Sequence, residues 1–254
     1  CAQEFDSLKV QYLFRNNKGR DFVCGDIHGC FELLEEKLSE VNFDPLRDRL
    51  FSVGDIIDRG MESIKALQYL EKSWFYCICG NHEQMFLNWI TEDSPTIRND
   101  AFRFHMQNGG LWVTDYLGVH IKNLADDIYA NEPISKKYPA LNHWENALKK
   151  LPYAIEIKYG EKKTGIIHAE IPQSVTWPSL EAELNKPNVL NSILFSRKYI
   201  KSGKRKKYHI NGVDELYCGH NIVNIPLKKG NINYIDTGAY LSQTLTLIEL
   251  NESL

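Results

Sequence analysis

In Asp21-Phe22-Val23-Cys24-Gly25-Asp26-Ile27-His28-Gly29, an apolar run with strand character ends at a glycine. Two side chains that can bind a metal follow at once. The same handover recurs at Ser52-Val53-Gly54-Asp55, Ile78-Cys79-Gly80-Asn81 and Tyr217-Cys218-Gly219-His220, and without the glycine at Ile166-Ile167-His168. Between the first of these runs, apolar residues fall at helical spacing: Phe31, Leu34, Leu38 and Val41, then Ile64, Leu67 and Leu70. A third helix is expected from about Asn81 to Ile90, and strands over 21–24, 50–53 and 74–79. The order β-α-β-α-β-α predicts an α/β fold with a partly parallel sheet.

From about Ser94 to Lys150 the pattern becomes polar, aromatic-dotted and helical, with Leu141, Trp144 and Leu148 on one face. This reads as a helical insert over one edge of the core. After Pro152, strands are expected at 153–159, 164–168, 215–218, 231–236 and 244–250, forming mostly antiparallel sheet. With no repeat, low-complexity tract or Pro/Gly/Ser-rich linker, residues 1–254 read as a single domain. Hydrophobic residues at 43% and charged residues at 25% exclude disordered and fibrous classes. Thirty basic against thirty-three acidic residues leave a net charge of -3, which disfavours coating of nucleic acid. No apolar run approaches the roughly 18 residues that a bilayer span needs. Nothing in the sequence demands more than a monomer. Of six cysteines, Cys24, Cys77, Cys79 and Cys218 sit in apolar runs and none forms a CxxC pair, which points to a reducing, cytoplasmic setting. The chain opens on Cys1, a start that a processed secreted protein or lipoprotein would also show.

Ligands in open α/β sheets bind just beyond the carboxyl ends of the strands. Glycine at such an end allows positive φ or close approach to a bound group. One Gly-Asp after a strand is an ordinary turn, whereas five strand ends carrying Asp, Asn or His would gather a ligand set in one crevice. Carboxylate, imidazole and amide oxygen together suit manganese, iron or zinc better than magnesium or calcium alone. Asp26 and His28 can chelate one ion. Asp55 can bridge to a second, completed by Asn81, His168 and His220. Two ions about 3.5–4 Å apart lower the pKa of a bridging water and clamp an in-line displacement at phosphorus. The ligand types therefore imply phosphoester hydrolysis.

Gly25-Asp26-Ile27-His28-Gly29, Gly54-Asp55-Ile56-Ile57-Asp58-Arg59-Gly60 and Gly80-Asn81-His82-Glu83 resemble the three signature motifs of the phosphoprotein phosphatase family of metallophosphoesterases. Ile167-His168-Ala169, Ser196-Arg197, Gly219-His220, Ile235-Asp236-Thr237-Gly238 and Leu245-Thr246-Leu247-Ile248 resemble its bacterial and bacteriophage lambda branch. The resemblance covers nearly the whole chain in order. It implies a calcineurin-like β-sandwich of two mixed sheets flanked by helices, two divalent ions with manganese favoured, and a phosphorylated protein or peptide as substrate. By the same resemblance Asp26, His28 and Asp55 hold the first metal, and Asp55, Asn81, His168 and His220 the second. His82 is the general acid, oriented by Asp58, while Arg59, Arg197 and Asn81 contact the phosphoryl group. The nucleophile is a metal-bound hydroxide, with no covalent phosphoenzyme.

Two departures from the family pattern stand out. Cys79 occupies a position where many members carry arginine, and the 94–150 insert does not match the eukaryotic enzymes. Within the insert, Asn108-Gly109-Gly110-Leu111-Trp112 reads equally as a glycine turn with a packed tryptophan or as a lining of the substrate groove. Glu83 is expected to support the helix that follows it. His105, His120, His143 and His209 read as ordinary surface or core residues. Seven basic residues between Arg197 and Lys207 read as a solvated loop that can also steer anionic substrates inward. The rival readings are a symmetrical dinucleoside tetraphosphatase, whose family often lacks a carboxylate at the Asp58 position, and a catalytically inactive phosphoprotein-binding scaffold. The nuclease branch usually has a second histidine two places after the last Gly-His, where this chain has Ile222.

Overall fold

Residues 9–130, 132, 134–202 and 208–250 are described by the computed structural model. The elements run β1 (Val10–Phe14), β2 (Asp21–Cys24), α1 (Phe31–Glu40), β3 (Arg49–Ser52), α2 (Lys65–Leu70), β4 (Phe75–Cys77) and α3 (Asn81–Ile90). The insert follows as α4 (Pro95–Gln107), α5 (Trp112–Leu117), α6 (Ile121–Ile128), α7 (Ile134–Lys137) and α8 (Leu141–Leu148). The remainder is β5 (Ala154–Tyr159), β6 (Lys162–Ile167), α9 (Leu180–Glu183), α10 (Pro187–Phe195), α11 (Lys198–Lys201), β7 (Glu215–Cys218), β8 (Leu227–Lys229), β9 (Ile232–Tyr234), α12 (Ala239–Ser242) and β10 (Leu247–Leu250).

Side chains alternate across a strand, and here both faces of each central strand find apolar partners. Val23 and Phe51 face inward, to the layer where they meet Ile155, Ile157, Ile166 and Tyr217 of the opposite sheet. Phe22, Cys24 and Leu50 face outward to α1, α2 and α3. On the far side, Ala154, Leu216 and Cys218 pack against Trp177, Leu180 and Ile193. Coverage on both faces explains why these strands read as continuous apolar runs rather than alternating ones.

The four-stranded sheet has the order β10-β2-β3-β4, and the six-stranded sheet β1-β5-β6-β7-β9-β8. β2, β3 and β4 are parallel, as the alternation of strands and helices required. The final third, expected to be mostly antiparallel, pairs β10 antiparallel to β2 but also contains parallel pairs. β6 pairs with β7, and β7 with β9, in parallel. The antiparallel pairs in this sheet are β5 with β6 and β8 with β9. The long connection carrying α9–α11 between β6 and β7 supplies the crossover that parallel pairing needs. The sequence reading also passed over β1, β8 and α9–α11. The helices of the insert do not merely lie over an edge: Phe102, Trp112, Leu141 and Trp144 join one buried cluster with Phe31, Leu34 and Phe86.

Candidate active site

The five strand ends converge. Asp26, Asp55 and Asn81 follow β2, β3 and β4 of one sheet, while His168 and His220 follow β6 and β7 of the other. Glycine is required there mainly by close approach. A Cβ on Gly219 would collide with the Asp26 carboxylate, and one on Gly80 with Asp55. Gly54 takes φ +92°. The ligand-bearing residues carry strain themselves: among the described residues, seven non-glycine positions have positive φ, and His28, Asp55, Asp58, Arg59 and His220 are five of them. Such strain concentrates at functional sites.

His28, Asp55 and His82 form one buried group of potential ligands, and Asp55, His168 and His220 a second that shares the Asp55 carboxylate. Three of these imidazoles each have one ring nitrogen on a backbone carbonyl: His28 Nδ1 on Ile57 at 3.0 Å, His168 Nδ1 on Val53 at 2.8 Å, and His220 Nε2 on Phe195 at 3.2 Å. A carbonyl can only accept, so each bonded nitrogen carries the proton and the other is left with a lone pair. Those lone pairs face oxygens. His28 Nε2 lies 3.5 Å from Asp55 Oδ2. His168 Nε2 lies 3.4 Å from the same oxygen and 2.8 Å from Asn81 Oδ1. His220 Nδ1 lies 2.9 Å from Asn81 Oδ1. Acceptors turned on acceptors, with tautomers set by carbonyls behind them, form a cradle for cations. The residues present therefore fit a pair of divalent ions.

The protonation pattern agrees. Burial pushes His28 and His220 down to about 3, so both are neutral, the form in which an imidazole can bind a metal. His168 is opposed by burial but drawn up by the Asp55 charge, so a proton gathers where a cation fits. Asp26 is pushed well above the carboxylate range by burial and then by Asp236 and Asp55. Its oxygens accept from the His220 backbone N–H at 3.0 and 3.2 Å, and it falls outside both three-residue groups. Asp236, to which the sequence reading gave no role, is raised by burial and by Asp55. Three buried carboxylates, Asp26, Asp55 and Asp236, thus crowd one site, an arrangement that favours a bound cation.

His82 differs from the other imidazoles. Its Nδ1 lies 2.6 Å from Asp58 Oδ2, and its Nε2 is buried with no hydrogen-bond partner, 3.8 Å from Asp55 Oδ2. Asp58 is fully enclosed. Trp112 Nε1 donates to its Oδ1 at 2.6 Å, and His105 Nε2 lies 2.9 and 3.0 Å from its two oxygens. Burial opposes ionisation of Asp58, yet His105 and His82 hold it well below the usual carboxylate range. His105, read from sequence as an ordinary residue, is thus part of the buried network. Glu83 behaves as expected of a supporting residue. It accepts from the backbone N–H groups of Gly80, Asp55, Ile56 and Ile57, joining the second and third motifs.

Arg59 is half-buried at the rim, where it donates to Tyr240 Oη at 2.6 Å and lies over that ring. Tyr240 also sets its ring edge-on to His28. Gly109 accepts from the Arg59 N–H at 3.3 Å, so the Asn108–Trp112 segment both packs its tryptophan and lines the site. Arg197 is exposed, and its charge reaches His220. Residues 203–207 of the basic run lie outside the described residues, as does Cys1. Cys79, in the position that is often arginine, is a buried thiol pushed well up by burial, so it brings no positive charge.

Two sheets bringing a shared-carboxylate ligand set to their strand ends define a metallophosphoesterase. The calcineurin-like phosphoesterase profile matches residues 22–235, and the chain belongs to the phosphoprotein phosphatase family within it. It is 32% identical over 229 residues to Serine/threonine-protein phosphatase 1 of Salmonella typhimurium, covering 90% of this chain and 91% of that one. It is 36% identical over 84 residues to a symmetrical bis(5'-nucleosyl)-tetraphosphatase of Pseudomonas syringae, covering 32% of this chain and 28% of that one. The structure of a putative diadenosine tetraphosphatase superimposes with a TM-score of 0.61 at 19% identity, covering 96% of this chain and 97% of that one. At that identity the likeness shows the fold alone. No helix among the described residues is long and apolar enough to cross a membrane.

Proposed function

We propose that this metallophosphoesterase is a protein phosphatase that hydrolyses phosphoserine and phosphothreonine esters. The observation that carries the reading is His82: one ring nitrogen is bound to a buried carboxylate, and the other is unpartnered beside the ligand cluster. Such a group can protonate an alkoxide, the leaving group of these esters. In this reading Asp26, His28 and Asp55 would hold one divalent ion, and Asp55, Asn81, His168 and His220 the other. Manganese is the first choice, with iron or zinc as alternatives. The ions supply a water of lowered pKa and neutralise charge on the phosphoryl oxygens.

The protein's own residues do the rest. His82 Nε2 gives its proton to the departing oxygen while Asp58 holds the Nδ1–H and stabilises the imidazolium. Arg59 and Arg197 grip the phosphoryl oxygens with their guanidinium forks, and Arg59 leaves Tyr240 to do so. Asn81 also contacts the phosphoryl group. The near full-length match to a phosphatase, against a match of about a third to the tetraphosphatase, favours phosphoprotein over dinucleotide. Free thiols at Cys24, Cys77, Cys79 and Cys218 favour a cytoplasmic setting.

The test is phosphate release from matched phosphoserine, phosphothreonine and phosphotyrosine peptides by chelator-stripped protein, before and after manganese, with diadenosine tetraphosphate alongside. Manganese-restored turnover of the peptides well above the dinucleotide is expected. Turnover of the dinucleotide alone would move the protein to the nucleotide branch.

A further inference from the structure

The Asp58 carboxylate is held by more than the histidine it serves. Its Oδ2 meets His82 Nδ1 at 2.6 Å and His105 Nε2 at 2.9 Å, and its Oδ1 meets Trp112 Nε1 at 2.6 Å and His105 Nε2 at 3.0 Å. Behind His105, the Trp89 indole N–H donates to Nδ1 at 3.0 Å. An indole nitrogen only donates, so His105 Nδ1 is the acceptor and its proton sits on Nε2, facing Asp58. His105 is wholly buried and stacks on Phe86 at 5.3 Å. Trp112 closes the same layer against Phe86 and Trp144. Both donors come from the helical insert, which also touches the site where Gly109 meets Arg59.

We infer that His105 and Trp112 are positioning residues that lock the Asp58 carboxylate against rotation and thereby aim His82 at the leaving oxygen. A carboxylate bound on one oxygen can turn about its Cβ–Cγ bond and carry the imidazole with it. With both oxygens engaged by buried donors on packed helices, that freedom is removed. Misplacing a catalytic group by about 1 Å costs on the order of 100-fold in rate. The inference rests on the reading of His82 as the acid. In the step concerned, the bond between phosphorus and the leaving oxygen breaks, and the His82 proton passes to that oxygen.

Leaving-group dependence tests it. Phenyl phosphate, whose phenoxide is a poor leaving group, needs the proton, whereas the 2,4-dinitrophenolate of 2,4-dinitrophenyl phosphate departs as a stable anion without it. The ratio of the two kcat values in one preparation is independent of how much protein is folded. His105→Phe keeps the stacking on Phe86 and removes the donor. It is expected to lower kcat on phenyl phosphate by about 10- to 100-fold, and on dinitrophenyl phosphate by less than about threefold. His105→Gln, whose amide can still donate to Asp58, should recover most of the loss, and Trp112→Phe should resemble His105→Phe. In the metal-free protein, a downfield imidazole N–H resonance from the His82–Asp58 bond should survive in His105→Gln and broaden in His105→Phe. Equal losses on both substrates, or no rescue by glutamine, would overturn the inference. His82→Asn separates the two readings. If it shows the leaving-group dependence and His105→Phe does not, the positioning role alone falls. If His82→Asn shows none, the acid reading falls and takes this inference with it.

Discussion

Replacing Glu83 with glutamine is a sharp probe of how the ligand loops are held. The carboxylate is fully buried, with Oε2 accepting from Gly80 and Asp55, each at 2.8 Å, and Oε1 from Ile56 at 2.9 Å and Ile57 at 3.3 Å. Glutamine keeps one oxygen, so two buried N–H groups lose their acceptor and face an amide NH2 instead. At about 1–3 kcal/mol for each unsatisfied donor, the loss is about 2–6 kcal/mol. For a chain of this length that corresponds to a Tm lower by roughly 5–20 °C. An opposing effect sets the condition. Burial and the Asp55 charge push Glu83 up to about 7, and a protonated Glu83 would tolerate glutamine well. A raised carboxyl pKa contributes stability at low pH that is lost as pH rises through the folded value. Metal bound at Asp55 offsets the repulsion and favours the ionised carboxylate with its four donors. Thermal unfolding at pH 6, below that value, with and without manganese, should therefore show the full loss in the loaded protein and a smaller one after chelation. A loss below about 2 °C in the loaded protein, or equal losses in both states, would refute the reasoning.

Chelation itself should lower the wild-type Tm, because ions bound only by the folded state stabilise it by about 2.7 kcal/mol at a hundredfold excess over Kd; differential scanning calorimetry across a manganese titration checks this. Arg98 is buried and donates to the backbone carbonyls of Glu92, Asp93, Ile128, Ala130 and Glu132, so Arg98→Met, losing five hydrogen bonds at about 0.5–1.5 kcal/mol each, should cost about 3–7 kcal/mol and raise hydrogen exchange across α6. Far from the site, the Arg20 partnership outweighs burial and holds Asp48 below its ordinary value. Its stabilisation is present above the unfolded carboxylate pKa and lost as pH falls through the folded one. Asp48→Asn should thus cost about 2 kcal/mol at pH 7, judged from hydrogen bonds to charged groups, with the gap to wild type narrowing below about pH 4 in urea titrations.

The candidate ligand residues were legible because each strand end is a local event, a strand followed, usually after a glycine, by a metal-capable side chain. Five such events could be counted without knowing which strands are neighbours. The parts that were not legible are long-range. His105 and Trp112 reach Asp58 across 47 and 54 residues; nothing beside His105 distinguishes it from a core residue of an amphipathic helix, and the Asn108–Trp112 segment stood out without showing which residue its tryptophan meets. Asp236 and Tyr240 lie close to motif residues in space only after β9 is placed beside β7. The parallel pairing in the final third was hidden for a related reason. Short strands separated by turn residues look alike whichever way they pair, and the crossover that decides the matter runs through short helices of weak periodicity.

The strain at the site follows from the chemistry required there. Glycine would adopt positive φ at no steric cost, but it has no side chain to bring to a metal or a phosphate. Each of His28, Asp55, Asp58, Arg59 and His220 therefore takes a conformation costing about 1–3 kcal/mol, and something must hold it. The backbone bonds supply the answer. The Asp55 N–H is held by Glu83, the Asp58 N–H by Ser63 Oγ at 2.9 Å, the His220 N–H by Asp26, and the His28 N–H by the Asp55 carbonyl at 2.8 Å. Arg59 is tied to Gly109 of the insert. Three of these five restraints come from buried side chains and two from backbone carbonyls, so the strained loops are held by hydrogen bonds from the protein itself. That support accounts for why residues with no direct part in ligation, Glu83 and Ser63 among them, are as deeply buried as the ligands themselves.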